Sequence, residues 1–416
     1  MNKDRILHDL ERLSRCSDRP GSADGSKSGT TSGVTRFSWS DADRQARSYI
    51  EAELRALGLC PWTDGIGNIR AEMPGRDRSR TLLLGSHFDS VKNGGAYDGI
   101  YGVVAALEVL RSLHEQDCVP PCSLGFIAFV EEEGSNFGCT CLGSKAVTGG
   151  ISVQELCELQ RPDGKKAGDI LRGFGLTPED LPGQQIDPAE VAAFLEVHIE
   201  QNSVLEKAGK SLGLVTAVFG MRLHEVVFTG RSDHAASPMQ GRADAMAGFA
   251  EAAHRLEQCC LRGEYGQDFS CTVGRVDCEP GVGIVIADRV RFTVDIRHVD
   301  PQTLDAGWER MTALLRETAE KRGLGLTITR LSASGGVRMD AALMEKLRNS
   351  ATVLGEEPLL LPSGPAHDAA ALGAKVPVAM LFVPSKNGLS HCPQEYTEAE
   401  HLCLGAQVLE ETVKSF

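Results

Sequence analysis

The sequence predicts an α/β protein with a mainly parallel sheet covered by helices, and a smaller α+β domain inserted into it. Three observations support this fold class: strand and helix patterns alternate through the first half of the 416-residue chain, a strand-rich stretch follows Gly213, and the alternation resumes from about Ser332. A chain of this length is also too long for one ordinary core. We therefore expect a discontinuous first domain over residues 1–212 and 332–416, interrupted by a domain over 213–331.

The elements of the first domain follow from periodicity and capping signals. An amphipathic helix over 2–15 precedes the Gly/Ser-rich stretch PGSADGSKSGTTSG, and the segment SDADRQARSYIEAELRALG has Ser/Asp capping residues at its start and Gly58 at its end, as expected of a second helix. The strands GIGNIRAEM, TLLLGSH, SLGFIAFVEE and AAFLEVHIEQ follow, with a helix from Gly102 to His114 after the second of them. Residues 150–190 form a helical insertion punctuated by Pro and Gly.

The inserted domain is predicted as an open-faced sandwich of one sheet and two helices. LGLVTAVFG and RLHEVVFTG form paired strands, ADAMAGFAEAAHRLEQ forms a helix, and SCTVGRVDC and RVRFTVDIRHV form further strands. A helix with Trp308, Met311 and Leu315 on one face and the strand LTITRLSAS complete the unit. Two β–α–β passes of this kind make a small α+β sandwich.

Composition excludes several kinds of partner. The formal net charge is −14, whereas nucleic acid and anionic membranes are bound by basic surfaces. No apolar run approaches membrane-spanning length, and the charged segment MNKDRILHDLERLSRC has no signal-peptide core. The thirteen cysteines, including Cys139 and Cys141 close to an acidic run, have no regular spacing and are interpreted as packed, reduced thiols. These features predict a soluble, cytoplasmic protein, and the net charge says little about a small anionic substrate, which local arginines can bind.

Five potential metal ligands end predicted strands or open loops, within TLLLGSHFDS, NGGAYDG, FIAFVEEEGSNFG, FLEVHIEQ and GLSHCPQE. They are His87, Asp98, Glu133, His198 and His391. Because α/β sheets bind ligands at the carboxyl ends of their strands, we expect these side chains to converge. Imidazole and carboxylate without cysteine favour zinc, manganese or a similar first-row ion. With Asp98 as a bridging carboxylate on its glycine-flanked loop, the set suffices for two divalent cations. A single such residue would be an ordinary polar side chain, but a converging set of unpartnered charges would be costly to bury.

Residues beside the ligands suggest further roles. Asp89 lies two residues after His87, so on an extended strand both side chains share a face and Asp89 can hydrogen-bond the imidazole. The adjacent carboxylates of Glu131, Glu132 and Glu133 repel one another unless cations are bound near them and give them separate tasks. We assign Glu133 to metal and Glu132 to general acid/base catalysis, with Glu131 as a bystander. A solvated acidic turn is the alternative.

Basic residues of the inserted domain are weaker candidates. Arg297 follows a β-rich run, where its guanidinium could bind a carboxylate in bidentate fashion. His234 and Arg242, in GRSDHAASPMQGRAD, lie just before a helix. Each of them taken alone is more often a surface residue.

The motifs together resemble those of the dinuclear metal amidases of the aminoacylase-type metallopeptidase clan: N-carbamoyl-L-amino-acid hydrolases, β-ureidopropionases and allantoate amidohydrolases. The resemblance runs from GVTRFSWSDADRQAR through GSHFDSVKNGGAYDG, EEEGSNFG, HIEQNSVLE, SDHAASPMQGRADA and VRFTVDIR to HDAAALGA and FVPSKNGLSHCPQE. It implies two divalent ions per subunit, zinc or else manganese, cobalt or nickel. His87 and His198 would bind one ion and Glu133 and His391 the other, with Asp98 between them.

The resemblance also implies roles outside the ligand set. Glu132 matches the general base, and His234 matches a lid histidine that polarises the scissile carbonyl in the partner subunit's site of a homodimer. The inserted domain would be the lid and would carry the dimer contact. The implied substrate-binding residues are Gln201, Arg297 and His367, together with Asn387 and Gly388 near the substrate carboxylate.

The expected activity is hydrolysis of a linear C–N bond in a ureido acid, such as an N-carbamoyl-L-amino acid, allantoate or ureidopropionate, with release of ammonia and carbon dioxide. The chain departs from the family pattern at Asn136, Asn202, Pro365, Ala366 and Ile284, which leaves the substrate open. The apolar Ile284 favours, as an alternative, a deacylase or peptidase acting on N-acyl amino acids or dipeptides. A catalytically silent binding homologue would lack a ligand or the base, and none is missing.

Overall fold

The computed structural model describes residues 1–18, 33–266 and 268–416, so all but the last residue of the Gly/Ser-rich stretch lies outside the described residues. The helices are α1 (Lys3–Ser14), α2 (Asp41–Ala56), α3 (Ile100–Glu115), α4 (Leu142–Val147), α5 (Val153–Glu158), α6 (Ala167–Phe174), α7 (Val204–Ala208), α8 (Ala245–Leu261), α9 (Pro301–Arg322), α10 (Ala341–Val353), α11 (Asp368–Leu372) and α12 (Ala399–Lys414), with 3₁₀ helices at Pro178–Gly183 and Lys386–Gly388. The strands are β1 (Trp62–Thr63), β2 (Ile69–Met73), β3 (Asp77–His87), β4 (Cys122–Phe129), β5 (Val191–Ile199), β6 (Gly213–Val218), β7 (Gly220–Thr229), β8 (Ser270–Glu279), β9 (Arg289–His298), β10 (Gly325–Ser334), β11 (Val337–Arg338), β12 (Leu359–Ser363) and β13 (Val378–Val383).

The described residues form two compact units. The first consists of Met1–Val218 and Arg338–Phe416, and the second of Phe219–Val337. We predicted the boundaries at 213 and 331. The first boundary differs by strand β6, and the second differs by the end of β10 and the residues up to Val337.

Strand β6 does not pair with β7, so our prediction that LGLVTAVFG and RLHEVVFTG are partners is wrong. It runs parallel to β12 and antiparallel to β13, both of which belong to the first unit. Only Phe219 separates β6 from β7, and the shortest common β-hairpin needs two loop residues. The chain therefore continues from one unit into the next without folding back.

The first unit contains a nine-stranded sheet with the order β1-β2-β4-β3-β5-β13-β6-β11, in which β12 also pairs with β6. The neighbours β4, β3, β5 and β13 are mutually parallel. Their register sets His87 opposite Phe129 and Phe382 opposite His198, so their carboxyl ends lie together at one edge. This is the mainly parallel, helix-covered sheet that the sequence predicts.

Helix α3 fixes the loop that precedes it against this edge. All of its residues from Ile100 to Leu113 are buried, because α3 contacts β3 and β5 of the sheet as well as α1 and α12. Burial of so many apolar side chains removes a large hydrocarbon surface from water and holds the helix in place. Asp98 and Gly99, which directly precede α3, are positioned by the same packing.

The second unit has a four-stranded antiparallel sheet with the order β10-β7-β9-β8, and α8 and α9 pack against it. Alternate residues of β9 are buried in its core: Val290, Phe292, Val294 and Ile296. The imidazole of His224 on β7 stacks on the indole of Trp308 on α9, with ring centroids 3.5 Å apart. The unit is the small α+β sandwich predicted from the sequence, and it has a core separate from that of the first unit.

Among the described residues, none of the helices combines the length and the apolar character needed to cross a membrane.

Candidate metal centre

Asp98 lies between two groups of potential metal ligands at the carboxyl edge of the sheet. Its Oδ1 is 3.3 Å from His198 Nε2 and 4.0 Å from His87 Nε2, and the two imidazole nitrogens are 3.5 Å apart. Its Oδ2 is 2.9 Å from His391 Nε2, which is 3.4 Å from Glu133 Oε2. Ligand atoms about 2.1 Å from a tetrahedral ion lie roughly 3.4 Å from one another. Both groups therefore have the spacing of a cation site, and they share Asp98.

The two buried imidazoles both turn Nε2 towards Asp98. His198 Nδ1 donates a hydrogen bond to the carbonyl of Ile199 at 2.9 Å, while Nε2 accepts one from the Gly99 amide at 3.1 Å. These bonds specify the neutral tautomer whose Nε2 lone pair can bind a metal. Burial and the neighbouring His87 lower the pKa of His198 to about 4, which favours the same neutral form.

The Asp89 carboxylate accepts hydrogen bonds from the backbone of the run Glu131–Glu133 and lies further from the imidazole of His87. Its Oδ1 accepts a hydrogen bond from the Glu132 amide at 3.1 Å and its Oδ2 accepts one from the Glu133 amide at 3.2 Å. The distance from His87 Nδ1 to the Asp89 carboxylate is 3.6 Å, whereas the Asp89 carbonyl is 3.3 Å away. The side-chain contact that we predicted between these two residues is thus longer than an ordinary hydrogen bond.

Buried negative charge dominates the site. Burial raises the pKa of Glu133 to about 8, with Asp98 adding to the shift, and burial raises the pKa of Glu132 well above its ordinary value. Among the described residues, Glu133 Oε1 is buried without a hydrogen-bond partner. The other buried carboxylates around the site are Asp89, Glu131, Glu196, Asp368 and Glu395. Divalent cations would relieve this repulsion and give the free oxygen a partner, so the residues fit such ions.

The three consecutive glutamates have different surroundings. Glu132 and Glu133 face the ligand groups, with Glu132 Oε2 3.9 Å from His87 Nε2. Glu131 is fully buried, and its carboxylate accepts hydrogen bonds from the backbone and side-chain amides of Asn136, both at 2.6 Å. The run is therefore not a solvated acidic turn. Asn136, which differs from the pattern of the resembled family, thus holds its loop against Glu131 through these two hydrogen bonds.

Glu395 was missed by the sequence reasoning although it lies inside the motif GLSHCPQE. Its Oε1 accepts hydrogen bonds from the amides of Tyr97 and Asp98 at 2.8 and 3.0 Å. The Ser390 hydroxyl lies 2.8 Å from Glu395 Oε2 and 3.1 Å from Asp98 Oδ2. Glu395 thereby holds the loop that carries Asp98. The sequence feature that could have identified Glu395 is its position four residues after the predicted ligand His391.

Two residues expected to contact substrate lie beside the ligands. The Gln201 side-chain amide donates to both oxygens of Asp98, at 3.1 and 3.0 Å. His367 is buried, packs edge-on against His198 with ring centroids 4.6 Å apart, and lies 2.8 Å from the Ser363 hydroxyl through Nε2. Its Nδ1 is buried with no partner among the described residues. With Glu196 and His198 it forms a further group whose spacing could hold a cation.

The remaining predicted residues lie further from Asp98 or in the second unit. Asn387 and Gly388 form a left-handed turn before His391, and the Asn387 amide donates to Glu206 at 2.9 Å. In the second unit, the exposed His234 accepts a hydrogen bond from the Ala236 amide at 3.0 Å through Nδ1. Also in that unit, Arg297 pairs with Asp295 at 3.0 Å.

A parallel sheet whose strand ends bring imidazoles and carboxylates to the spacing of a cation site, beside a buried glutamate, is the arrangement of a metal-dependent hydrolase. More specifically, the chain belongs to peptidase family M20/M25/M40, whose model matches residues 83–415. The predicted membership of the aminoacylase-type amidohydrolases is confirmed by this match and by the relatives that follow.

Relatives match along nearly the whole chain. The N-carbamoyl-L-amino acid amidohydrolase of Geobacillus stearothermophilus is 34% identical over 383 residues, which cover 92% of this chain and 93% of that protein. The allantoate amidohydrolase of Bacillus subtilis (strain 168) is 34% identical over 380 residues, 91% of each chain. A crystal structure of an amidase of the hydantoinase/carbamoylase family from Burkholderia multivorans superposes with a TM-score of 0.88 at 29% identity, covering 100% of this chain and 97% of the other.

Proposed function

We propose that the protein hydrolyses the linear C–N bond of an N-carbamoyl-L-amino acid or a closely related ureido acid such as allantoate, using two divalent cations. The observation that carries the proposal is the position of Asp98, whose oxygens lie 3.3 Å from His198 on one side and 2.9 Å from His391 on the other. The names of the two curated relatives support this substrate class.

In the proposed site, one cation would be held by His87 and His198 and the other by Glu133 and His391, with Asp98 belonging to both ligand groups. The neutral imidazoles and carboxylates suit zinc, manganese, cobalt or nickel. Such cations, when bound, polarise the carbamoyl carbonyl and lower the pKa of an attacking water.

Glu132 would act as the proton carrier. It is buried beside Glu133 and His87, and burial raises the pKa of its carboxyl group, so it can accept a proton from the attacking water and deliver it to the leaving nitrogen. Substrate would be held by Gln201, which already lies at the ligands, and by the residues Arg297, His367, Asn387 and Gly388.

The proposal includes a homodimer in which His234 of one subunit reaches the partner's site and donates a hydrogen bond to the developing oxyanion. In support, the His234 side chain is exposed and its Nδ1 accepts the Ala236 amide, so Nε2 carries the proton. It also includes a cytoplasmic location, which the thirteen cysteines support, since each of them is a free thiol.

The test is an assay of ammonia release after the protein has been stripped of metal by a chelator and reconstituted with Zn²⁺, Mn²⁺ or Co²⁺. The substrates are a panel of N-carbamoyl-L-amino acids, ureidopropionate and allantoate. We expect ammonia from at least one substrate with metal and none without it. Absence of ammonia from every substrate and every metal would refute the proposal.

A second candidate is a deacylase that acts on N-acyl amino acids or dipeptides through the same residues. It is favoured by Ile284, whose side chain is 65% exposed and whose carbonyl accepts the amide of Ala235, next to His234. An exposed apolar residue at this place suits an acyl chain better than a polar ureido group. A deacylase of this kind would release an amine from its substrate without releasing ammonia. If Ile284→Asn then gains carbamoyl turnover, the apolar side chain decides between the two substrate classes.

A further inference from the structure

Cys141 lies against the proposed proton carrier through a rigid backbone pairing. The Cys141 amide donates to the Glu132 carbonyl at 2.8 Å, and the next amide, that of Leu142, donates to the Glu131 carbonyl at 3.0 Å. The segment after the acidic run thus folds back antiparallel to it. Cys141 itself has a left-handed backbone with φ of 56°, which places it at the turn into α4.

The Cys141 thiol meets one oxygen of the Glu132 carboxylate. Cys141 Sγ is buried and lies 3.3 Å from Glu132 Oε1, within hydrogen-bond distance for sulfur. The other oxygen, Oε2, is 3.9 Å from His87 Nε2 and so faces the ligand groups. Burial, with the adjacent Glu132 charge, raises the pKa of the Cys141 thiol well above its ordinary value, so the sulfur keeps its proton and can donate it.

We propose that Cys141 is a positioning residue: its S–H group holds Glu132 Oε1 so that Oε2 stays turned towards the cations of the proposed site. The inference rests on the proposed role of Glu132. A thiol suits this task because it is neutral and a weak donor, so it orients the carboxylate without withdrawing the charge that makes it basic. A lysine or arginine in the same place would orient Glu132 but would also favour its ionised, less basic form.

Cys139 provides a matched control two residues away. Its sulfur lies 3.9 Å from Lys145 Nζ and 4.0 Å from the Thr140 carbonyl, and it is only partly buried. Its contacts do not include the carboxylate of Glu132, so replacing it tests the effect of removing a thiol from the same loop. The two substitutions Cys141→Ala and Cys139→Ala therefore differ in whether they touch Glu132.

The experiment measures kcat, KM and bound metal for Cys141→Ala, Cys141→Ser and Cys139→Ala on whichever amide the wild-type enzyme turns over. Loss of an outer partner of this kind typically costs about 10- to 100-fold, and we expect that loss in kcat for Cys141→Ala with KM and metal content unchanged. Cys141→Ser keeps a donor and should recover most of the loss, and Cys139→Ala should match the wild type.

A double-mutant cycle separates this inference from the proposed function. If Cys141 acts through Glu132, adding Cys141→Ala to Glu132→Gln should cause almost no further loss of kcat. Wild-type kcat in Cys141→Ala, an equal loss in the Ser and Ala variants with metal retained, or additivity in the cycle would each overturn the inference. If Cys141→Ala does not fold, Cys141→Ser decides the question, because the inference requires that this variant keep most of the wild-type kcat. The absence of ammonia release by the wild type would instead count against the proposed function.

Discussion

Asp98 and His391 lie 2.9 Å apart, but the His391 side chain is 47% exposed whereas that of Asp98 is only 5% exposed. The hydrogen bond between them raises the pKa of His391 to about 9, so the imidazole pairs with Asp98 as a cation in the absence of metal. The proposed ligand set thus consists of four buried side chains, two of them on strands and two on loops, and the half-exposed His391 on a further loop. The cation at Glu133 and His391 should be the more readily exchanged of the two.

Glu132→Gln and Glu133→Gln should have different effects although the residues are neighbours. Glu132→Gln should keep both cations but lose about 10²- to 10⁴-fold in kcat, because it removes the proton carrier. Glu133→Gln should weaken one cation, so its activity should partly recover in excess metal. Activity and metal content measured together distinguish the two. Full activity in Glu132→Gln with an inactive Glu131→Gln variant would mean that the assignment is wrong by one residue.

Activity should be restored by mixing two inactive variants if the site is shared between subunits. His234→Ala should bind metal normally and fail in the chemical step, since the lost group would stabilise the oxyanion. Glu133→Gln supplies an intact His234 with a defective metal site. Subunit exchange should regenerate one complete site in each mixed dimer. If the mixture stays as inactive as its components under exchange conditions, His234 does not act across a subunit boundary.

Gly99→Ala should destroy metal binding without changing any ligand. Gly99 has φ of 65°, and a Cβ there would lie 2.2 Å from the imidazole of His87. Gly209 is a matched control, because it has φ of 60° but open space where its Cβ would be. Gly209→Ala should therefore lose only about 1 kcal/mol of stability from backbone strain and keep its metal. Equal metal content in the two variants would contradict the prediction.

Arg111→Met should strongly destabilise the first unit. The guanidinium contacts the buried carboxylate of Asp9, bonds to Glu53 at 2.6 Å, and lies 3.7 Å from the buried Glu108. Removing one member of a buried ion network leaves uncompensated charge and typically costs about 3–5 kcal/mol. Urea unfolding should show this shift. Lys3→Ala, which breaks only an exposed pair, should leave the urea unfolding midpoint close to that of the wild type.

His224 should make the second unit less stable as the pH falls. Burial, helped by Arg330 and Arg222, lowers the pKa of His224 from 6.5 to about 4. Between these pH values the unfolded chain binds a proton that the folded unit does not, so acidification favours unfolding in that window. His224→Phe keeps a ring against Trp308 and removes the titration, so its melting temperature should fall less steeply from pH 6.5 to 4. The exposed His254→Phe variant should follow the wild type.

Much of the proposed site could be predicted because its residues are local in sequence. His87, Glu133 and His198 each lie at or just beyond the end of an apolar strand, and parallel neighbours bring such ends together. The spacing of the ligands around Asp98 follows from that topology. The class of enzyme follows from the same motifs.

Other features depend on contacts that no local pattern records. Glu196 and Asp368 are buried near the ligands and lie inside FLEVHIEQ and HDAAALGA, but no local pattern distinguishes them from the other residues of those segments. The approach of Cys141 to Glu132 arises from a left-handed turn that closes a nine-residue separation, and we had interpreted this cysteine as packing alone. The pairing of β6 was mistaken because alternation predicts a strand and not its partner.

The way the chain leaves and re-enters the large sheet bears on how this architecture arose. Strands β6 and β11 are neighbours there, and the second unit begins after Val218 and ends before Arg338. Inside that unit, Gly220 and Gly336 are also adjacent, since a Cβ on Gly220 would lie 2.6 Å from the Gly336 amide nitrogen. The second unit is thus inserted between two strands that are neighbours in the large sheet. A gene fragment gained or lost between those strands would leave both hydrophobic cores whole, so evolution could exchange the one module while preserving the other.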